Sequence, residues 1–90
     1  MKKQSNKNGY AKVLKDKVDE IALECGFYKE SNSPANLSSN YRDSVLPLLI
    51  SFYATTGTIG ISYCKEPFKW FKGCKQEMIK DIFENPLNYV

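Results

Sequence analysis

VLPLLISFYATTGTIGISY, residues 45–63, is the stretch on which the fold turns. Its first half is apolar and ends in β-branched and aromatic residues, the composition that fits a pleated, half-buried surface. Pro47 has no amide to donate, so regular pairing is expected only from about Leu48. Ala54, Thr55, Thr56 and Gly57 then read as a tight reversal, with Gly57 supplying the positive φ that a short hairpin loop needs. The segment after it alternates cleanly. Ile59, Ile61 and Tyr63 point to one side, and Thr58, Gly60 and Ser62 to the other. These residues predict an antiparallel hairpin with one buried face.

Downstream, FKWFK at residues 68–72 reads as a third strand, with Phe68, Trp70 and Lys72 on one face and Lys69 and Phe71 on the other. Gly73 ends it. In residues 75–84, Met78, Ile79, Ile82 and Phe83 recur at helical spacing until Asn85 and Pro86 stop the run. Upstream, Tyr10, Val13, Leu14, Val18, Ile21, Ala22 and Cys25 mark an amphipathic helix closed by Gly26. Between that helix and the hairpin, SNSPANLSSNYRDS at residues 31–44 is rich in Ser and Asn and is expected to be a long polar loop, pinned by Leu37 and Tyr41. Residues 1–9 carry Lys2, Lys3 and Lys7 and are expected to form a disordered basic tail ahead of a single compact domain over 10–90. The expected fold class is α+β: an N-terminal helix, a long polar loop, a three-stranded antiparallel sheet and a C-terminal helix.

Three of these pieces, in order, also carry a resemblance: Tyr53-Ala54-Thr55-Thr56-Gly57-Thr58-Ile59, the basic aromatic Phe68–Lys72 and Ile82-Phe83-Glu84-Asn85-Pro86. They resemble a group of small eukaryotic proteins in which a Thr-Thr-Gly-Thr hairpin is followed by a basic segment, a Leu-Phe-Arg-Arg strand and a helix ending in Ile-Phe-x-Asn-Pro. The likeness covers roughly the last 40 residues. This chain has a shorter basic connection and Lys in place of the paired Arg. The resemblance implies the strand and helix order of this half and no activity, since none is established for the group.

The composition narrows function by what it lacks. The 90 residues include no histidine, which removes Ser-His-Asp, Cys-His and His-ligated metal chemistry. Cys25, Cys64 and Cys74 form no Cys-x-x-Cys pair and are read as free thiols in a reducing compartment. No cofactor, metal or catalytic constellation is expected. No apolar run reaches the roughly 20 residues of a membrane span, and the N-terminus has no apolar stretch after its lysines, so an intracellular location, cytoplasmic or nuclear, is expected.

Charge is segregated. The formal +3 conceals five Lys and no acid in residues 1–15, five acids against two Lys in 16–30, five Lys against two Glu in 65–80, and two acids with no base in 81–90. Lys65, Phe68, Lys69, Trp70, Lys72 and Lys75 are therefore the candidate binding residues. They combine flat rings for base stacking with ammonium groups for phosphates. The competing structural explanation places Trp70, the chain's one tryptophan, in the core and leaves the lysines guarding an edge strand. On that weighing the leading expectation is a small non-catalytic protein-interaction module or accessory subunit. The alternative is a domain that binds single-stranded RNA or DNA through residues 65–75. The two separate on one point: the face of the sheet that carries Trp70.

Overall fold

The computed structural model describes residues 2–33 and 37–90, with side chains from Ala11 onward. In chain order the elements are α1 (Lys2–Glu24), β1 (Phe27–Ser33), β2 (Ser38–Asp43), β3 (Leu48–Tyr53), β4 (Thr58–Tyr63), β5 (Lys69–Phe71) and α2 (Gln76–Glu84), followed by a 3-10 turn at Pro86–Asn88. The five strands form one antiparallel sheet in the order β1-β2-β3-β4-β5. The class is α+β, but the sheet has five strands rather than the expected three.

Of the two additional strands, β2 and the end of β1 come from the segment read as a long polar loop, and the rest of β1 from the residues just before it. Residues 38–43 pair with β3 on one side and β1 on the other, with Tyr41 opposite Ile50 and opposite Lys29. Only Tyr41 gives β2 a large apolar side chain on the inner face, and the next inward position is Ser39, so no hydrophobic alternation marks the strand in the sequence. β1 is obscured further by a bulge between Lys29 and Ser31, which breaks its period of two. The backbone ladder to β3 and the burial of two rings, Phe27 and Tyr41, hold this hairpin in the sheet. Residues 34–36 of the expected loop lie outside the described residues. Leu37 is half-buried against the core, and its carbonyl accepts from Ala54 N at 2.9 Å.

The hairpin of residues 45–63 is β3 and β4, in register from Leu48 opposite Tyr63 to Tyr53 opposite Thr58. Pairing starts at Leu48, immediately after Pro47. Gly57 takes φ +67 in the reversal, and its amide donates to Tyr53 O at 2.9 Å. α1 begins at Lys2, and Met1 lies outside the described residues.

Both helices pack on one face of the sheet. Val18, Ile21 and Ala22 of α1 and Ile79, Ile82 and Phe83 of α2 are buried against Phe27, Tyr41, Leu48, Ile50, Phe52, Ile59 and Ile61. Phe83 sits edge-on to two rings at once, Phe27 at 5.2 Å and Tyr41 at 5.3 Å between centroids. α1 has no acid in its first turn and no base in its last, so its termini oppose or ignore the helix dipole. A polar clamp supplements its packing: Asp19 accepts the Tyr41 hydroxyl on one oxygen and Lys29 Nζ, at 2.9 Å, on the other. Burial first, and this hydrogen bond second, push the Tyr41 phenol far above its ordinary pKa, so the clamp keeps its proton.

Candidate functional site

With both helices on the inner face, the register assigns every outward side chain. Leu48, Ile50 and Phe52 point to the helices, so Leu49, Ser51 and Tyr53 line the outer face. Gly60 lies between Ser51 and Trp70 in one row across the sheet. Trp70 therefore belongs to the open face, with 47% of its surface exposed. Phe71 and Lys69, opposite Ile59 and Ile61, belong to the helix side.

Trp70 lies over Gly60. A Cβ at position 60 would stand 2.6 Å from Cε3 and Cζ3 of the indole and 2.9 Å from Cδ2, so only glycine accepts the ring there. An aromatic side chain covering a strand glycine restores packing that the missing side chain forfeits. Phe68 stacks beside the indole at 5.3 Å with 23° between planes, and Tyr53 approaches at 6.1 Å and 51°. The three rings make a continuous aromatic strip on the β5 side of the open face. Tyr53 is 41% exposed and Phe68 half-buried.

The six residues expected to form the site separate into groups. Phe68 and Trp70 come together on the open face. Lys65 sits in the tight turn after β4, Lys72 follows β5, and Lys75 precedes α2 without a side-chain cap for that helix. Lys69 projects from the edge on the opposite side to Trp70. All four lysines are exposed, and none of them forms an ion pair among the described residues. They lie in β5 or in the segments beside it in the chain, with Lys69 on the face opposite the aromatic strip.

The turn that carries Lys65 is strained. Cys64 and Lys65 have φ +57 and +65, and Glu66 N donates to Tyr63 O at 3.1 Å, closing a two-residue reversal of the kind that favours Asn-Gly. The Ser62 hydroxyl donates to the Glu66 carbonyl and fastens the turn to β4. Each non-glycine residue in this left-handed region costs about 1 kcal/mol.

Several outer-face residues were not among the sequence candidates. A row of neutral polar side chains runs from Ser51 to Asn40 to Ser31: the Ser51 hydroxyl donates to Asn40 Oδ1, and Asn40 Nδ2 donates to Ser31 Oγ at 2.9 Å. Beyond it Tyr28, 48% exposed, is paired in register with Arg42, whose guanidinium meets Glu30. That contact holds the Glu30 carboxyl below its usual pKa. Gly60 was legible as a position on the face opposite Ile59 and Ile61. Tyr28, Asn40 and Arg42 became outward positions only once β1 and β2 were strands.

Two of the three thiols, Cys25 and Cys74, are half-buried, and burial raises the pKa of each, keeping them protonated and weakly nucleophilic. Among the described residues no group of three or more Cys, Asp or Glu is placed to hold a metal ion. No helix among them is long and apolar enough to cross a membrane. A groove of about 420 Å³ between α1 and α2 lies on the far side of the sheet, lined by both signs of charge, Lys17, Glu20, Glu24 and Lys80 among them. Mixed charge gives it no field to concentrate a charged ligand. The chain matches no family model, no curated protein and no solved structure.

Proposed function

We propose that the protein is a single-strand nucleic-acid-binding domain whose open sheet face stacks bases on Trp70 and its aromatic neighbours. The observation that carries this reading is the placement of Trp70: it lies outside the core, on the face that neither helix covers, with Phe68 and Tyr53 against it. A half-exposed indole flanked by exposed lysines offers stacking worth about 1–3 kcal/mol per base together with phosphate neutralisation. The sheet positions the rings, and Lys65, Lys69, Lys72 and Lys75 supply charge at its edge.

The test uses Trp70 as its own reporter. Titrating the protein with a single-stranded oligonucleotide at low salt should quench its fluorescence. If three or four lysines contact phosphate, log affinity should fall against log salt with a slope of about −2 to −3. Lys69→Ala with Lys72→Ala should weaken binding and flatten that slope. Absence of binding at low salt, or binding indifferent to the double substitution, removes the proposal.

A protein-interaction module remains the second reading, favoured by the sheet edges. β1 and β5 each have one neighbour, and the seven residues of β1 offer a partner strand a longer ladder than the three of β5. Stoichiometric co-purification of a protein, lost when Asn32→Pro interrupts the free edge, supports that reading.

A further inference from the structure

The open face has two exposed aromatic stations, and the polar row joins them. Trp70 stands on β5 and Tyr28 on β1, at opposite edges of the sheet, and both project outward, one row apart in register. Four inter-strand spacings of about 4.8 Å put them roughly 19 Å apart across the sheet. From Trp70 the row runs over Gly60 and the buried Ser51 to Asn40 and ends at Ser31 on β1, the strand that carries Tyr28; the hydrogen bonds among Ser51, Asn40 and Ser31 hold the Asn40 amide in one orientation, its oxygen toward β3 and its nitrogen toward β1. This strip carries no charge. Beside Tyr28, Arg42 is neutralised by Glu30, which also holds its planar guanidinium in place.

Resting on the nucleic-acid reading above, we propose that the bound strand crosses the sheet transversely, with one base stacked at Trp70 and another at Tyr28 beside Arg42, the intervening nucleotides passing over the Ser51–Asn40–Ser31 row. A second station is needed because the lysines sit at the β5 edge alone. A flat ring and a guanidinium plane stack bases of any sequence, and of the neutral row the accessible Asn40 and Ser31 offer donors and acceptors to bases or sugar without fixing a sequence. At 3.4 Å per nucleotide for a stacked strand, a 19 Å path spans roughly five or six nucleotides, and fewer if the strand is extended.

Length dependence tests the path. Oligo-uridylates of two, four, six and eight nucleotides would be titrated against the wild-type chain and against Tyr28→Ala and Tyr28→Phe, following Trp70 fluorescence. Wild-type affinity should rise with length and level off near six. Tyr28→Ala should bind the dinucleotide unchanged and the octanucleotide about five- to a hundredfold more weakly, while Tyr28→Phe, which keeps the ring, restores the gain with length. A circular dichroism melt of each variant establishes that the sheet is intact, which the exposure of Tyr28 favours. Equal loss at every length, or no loss at any, overturns the transverse path and leaves the Trp70 platform standing. Failure of the wild-type chain to bind any length overturns both.

Discussion

Substituting Gly60 by alanine is the most direct way to ask whether the indole is seated on β4. The added methyl would stand 2.6 Å from two indole carbons, about 1 Å closer than carbon atoms ordinarily approach. The near atoms belong to an exposed side chain, so the ring would swing away rather than distort the backbone. Two opposed terms set the outcome. Replacing a strand-interior glycine recovers about 0.5–1 kcal/mol of backbone entropy. Unseating the ring forfeits burial of roughly half an indole, on the order of 100 Å², or about 2.5 kcal/mol at 25 cal/mol per Å² as an upper value. The difference is a net loss of about 1–2 kcal/mol, a fall in melting temperature of about 4–16 °C for a domain of this size. The assay is a thermal melt combined with Trp70 emission and acrylamide quenching. Gly60→Ala should melt lower, emit further to the red and quench more readily. In a Trp70→Ala background the same substitution should instead stabilise by about 0.5–1 kcal/mol, because the steric conflict is gone. A Gly60→Ala chain with unchanged melting and unchanged quenching would refute the seating, and with it the argument for a pre-positioned platform.

Other expectations follow from the same geometry. Cys64→Asn with Lys65→Gly places the favoured residues in the two positive-φ positions and should raise stability by about 1–2 kcal/mol in chemical denaturation, with an unchanged fold by circular dichroism. Asp81 accepts the Tyr89 hydroxyl and the Asn85 amide, which hold its carboxyl below the ordinary range, so its contribution is present at neutral pH and lost as pH falls through the lowered pKa. Asp81→Asn should flatten that acid limb in melts taken between about pH 2 and 5. Tyr41 shifts the opposite way: its stabilising hydrogen bond to Asp19 is complete below the ordinary tyrosine pKa and is lost only as pH rises beyond it. In an absorbance titration at alkaline pH, Tyr41 should ionise only with unfolding, and Tyr41→Phe should remove one such delayed phenol while costing about 1–2 kcal/mol.

The legible part of the fold is the part whose inward positions are filled by large apolar residues. Ile59 and Ile61 alternate with Gly60 and Ser62, and Ile79, Ile82 and Phe83 recur at helical spacing, so burial and pattern agree. β1 and β2 escape because Phe27 and Tyr41 share the inward face with Lys29, Asn32, Ser39 and Asp43: polar and charged residues occupy places where a period-two reading seeks hydrocarbon. Their strand character comes from the ladders that join β1 to β2 and β2 to β3, pairings that side-chain periodicity does not mark. The site followed the same rule. Phe68 and Trp70 were visible as a basic aromatic cluster, and Gly60 as an outward-facing glycine in mid-strand. Which face of the sheet stayed open depended on where two helices at opposite ends of the chain would pack. The competing explanation put Trp70, the one tryptophan, in the core, but β1 and β2 widen the sheet and let Phe27 and Tyr41 complete the core instead.

Because the spatial order of the five strands repeats their order along the chain, each sheet contact joins segments adjacent in sequence. Such a meander assembles by successive hairpins with little loop-closure cost, which favours rapid folding. The exception is Phe83, whose ring lies against Phe27 and Tyr41. That contact closes a long circuit and ties the last helix to the first two strands. Destabilising substitutions at Phe83 should therefore accelerate unfolding more than they slow folding. During synthesis the sheet would be paired before the residue that locks it has emerged.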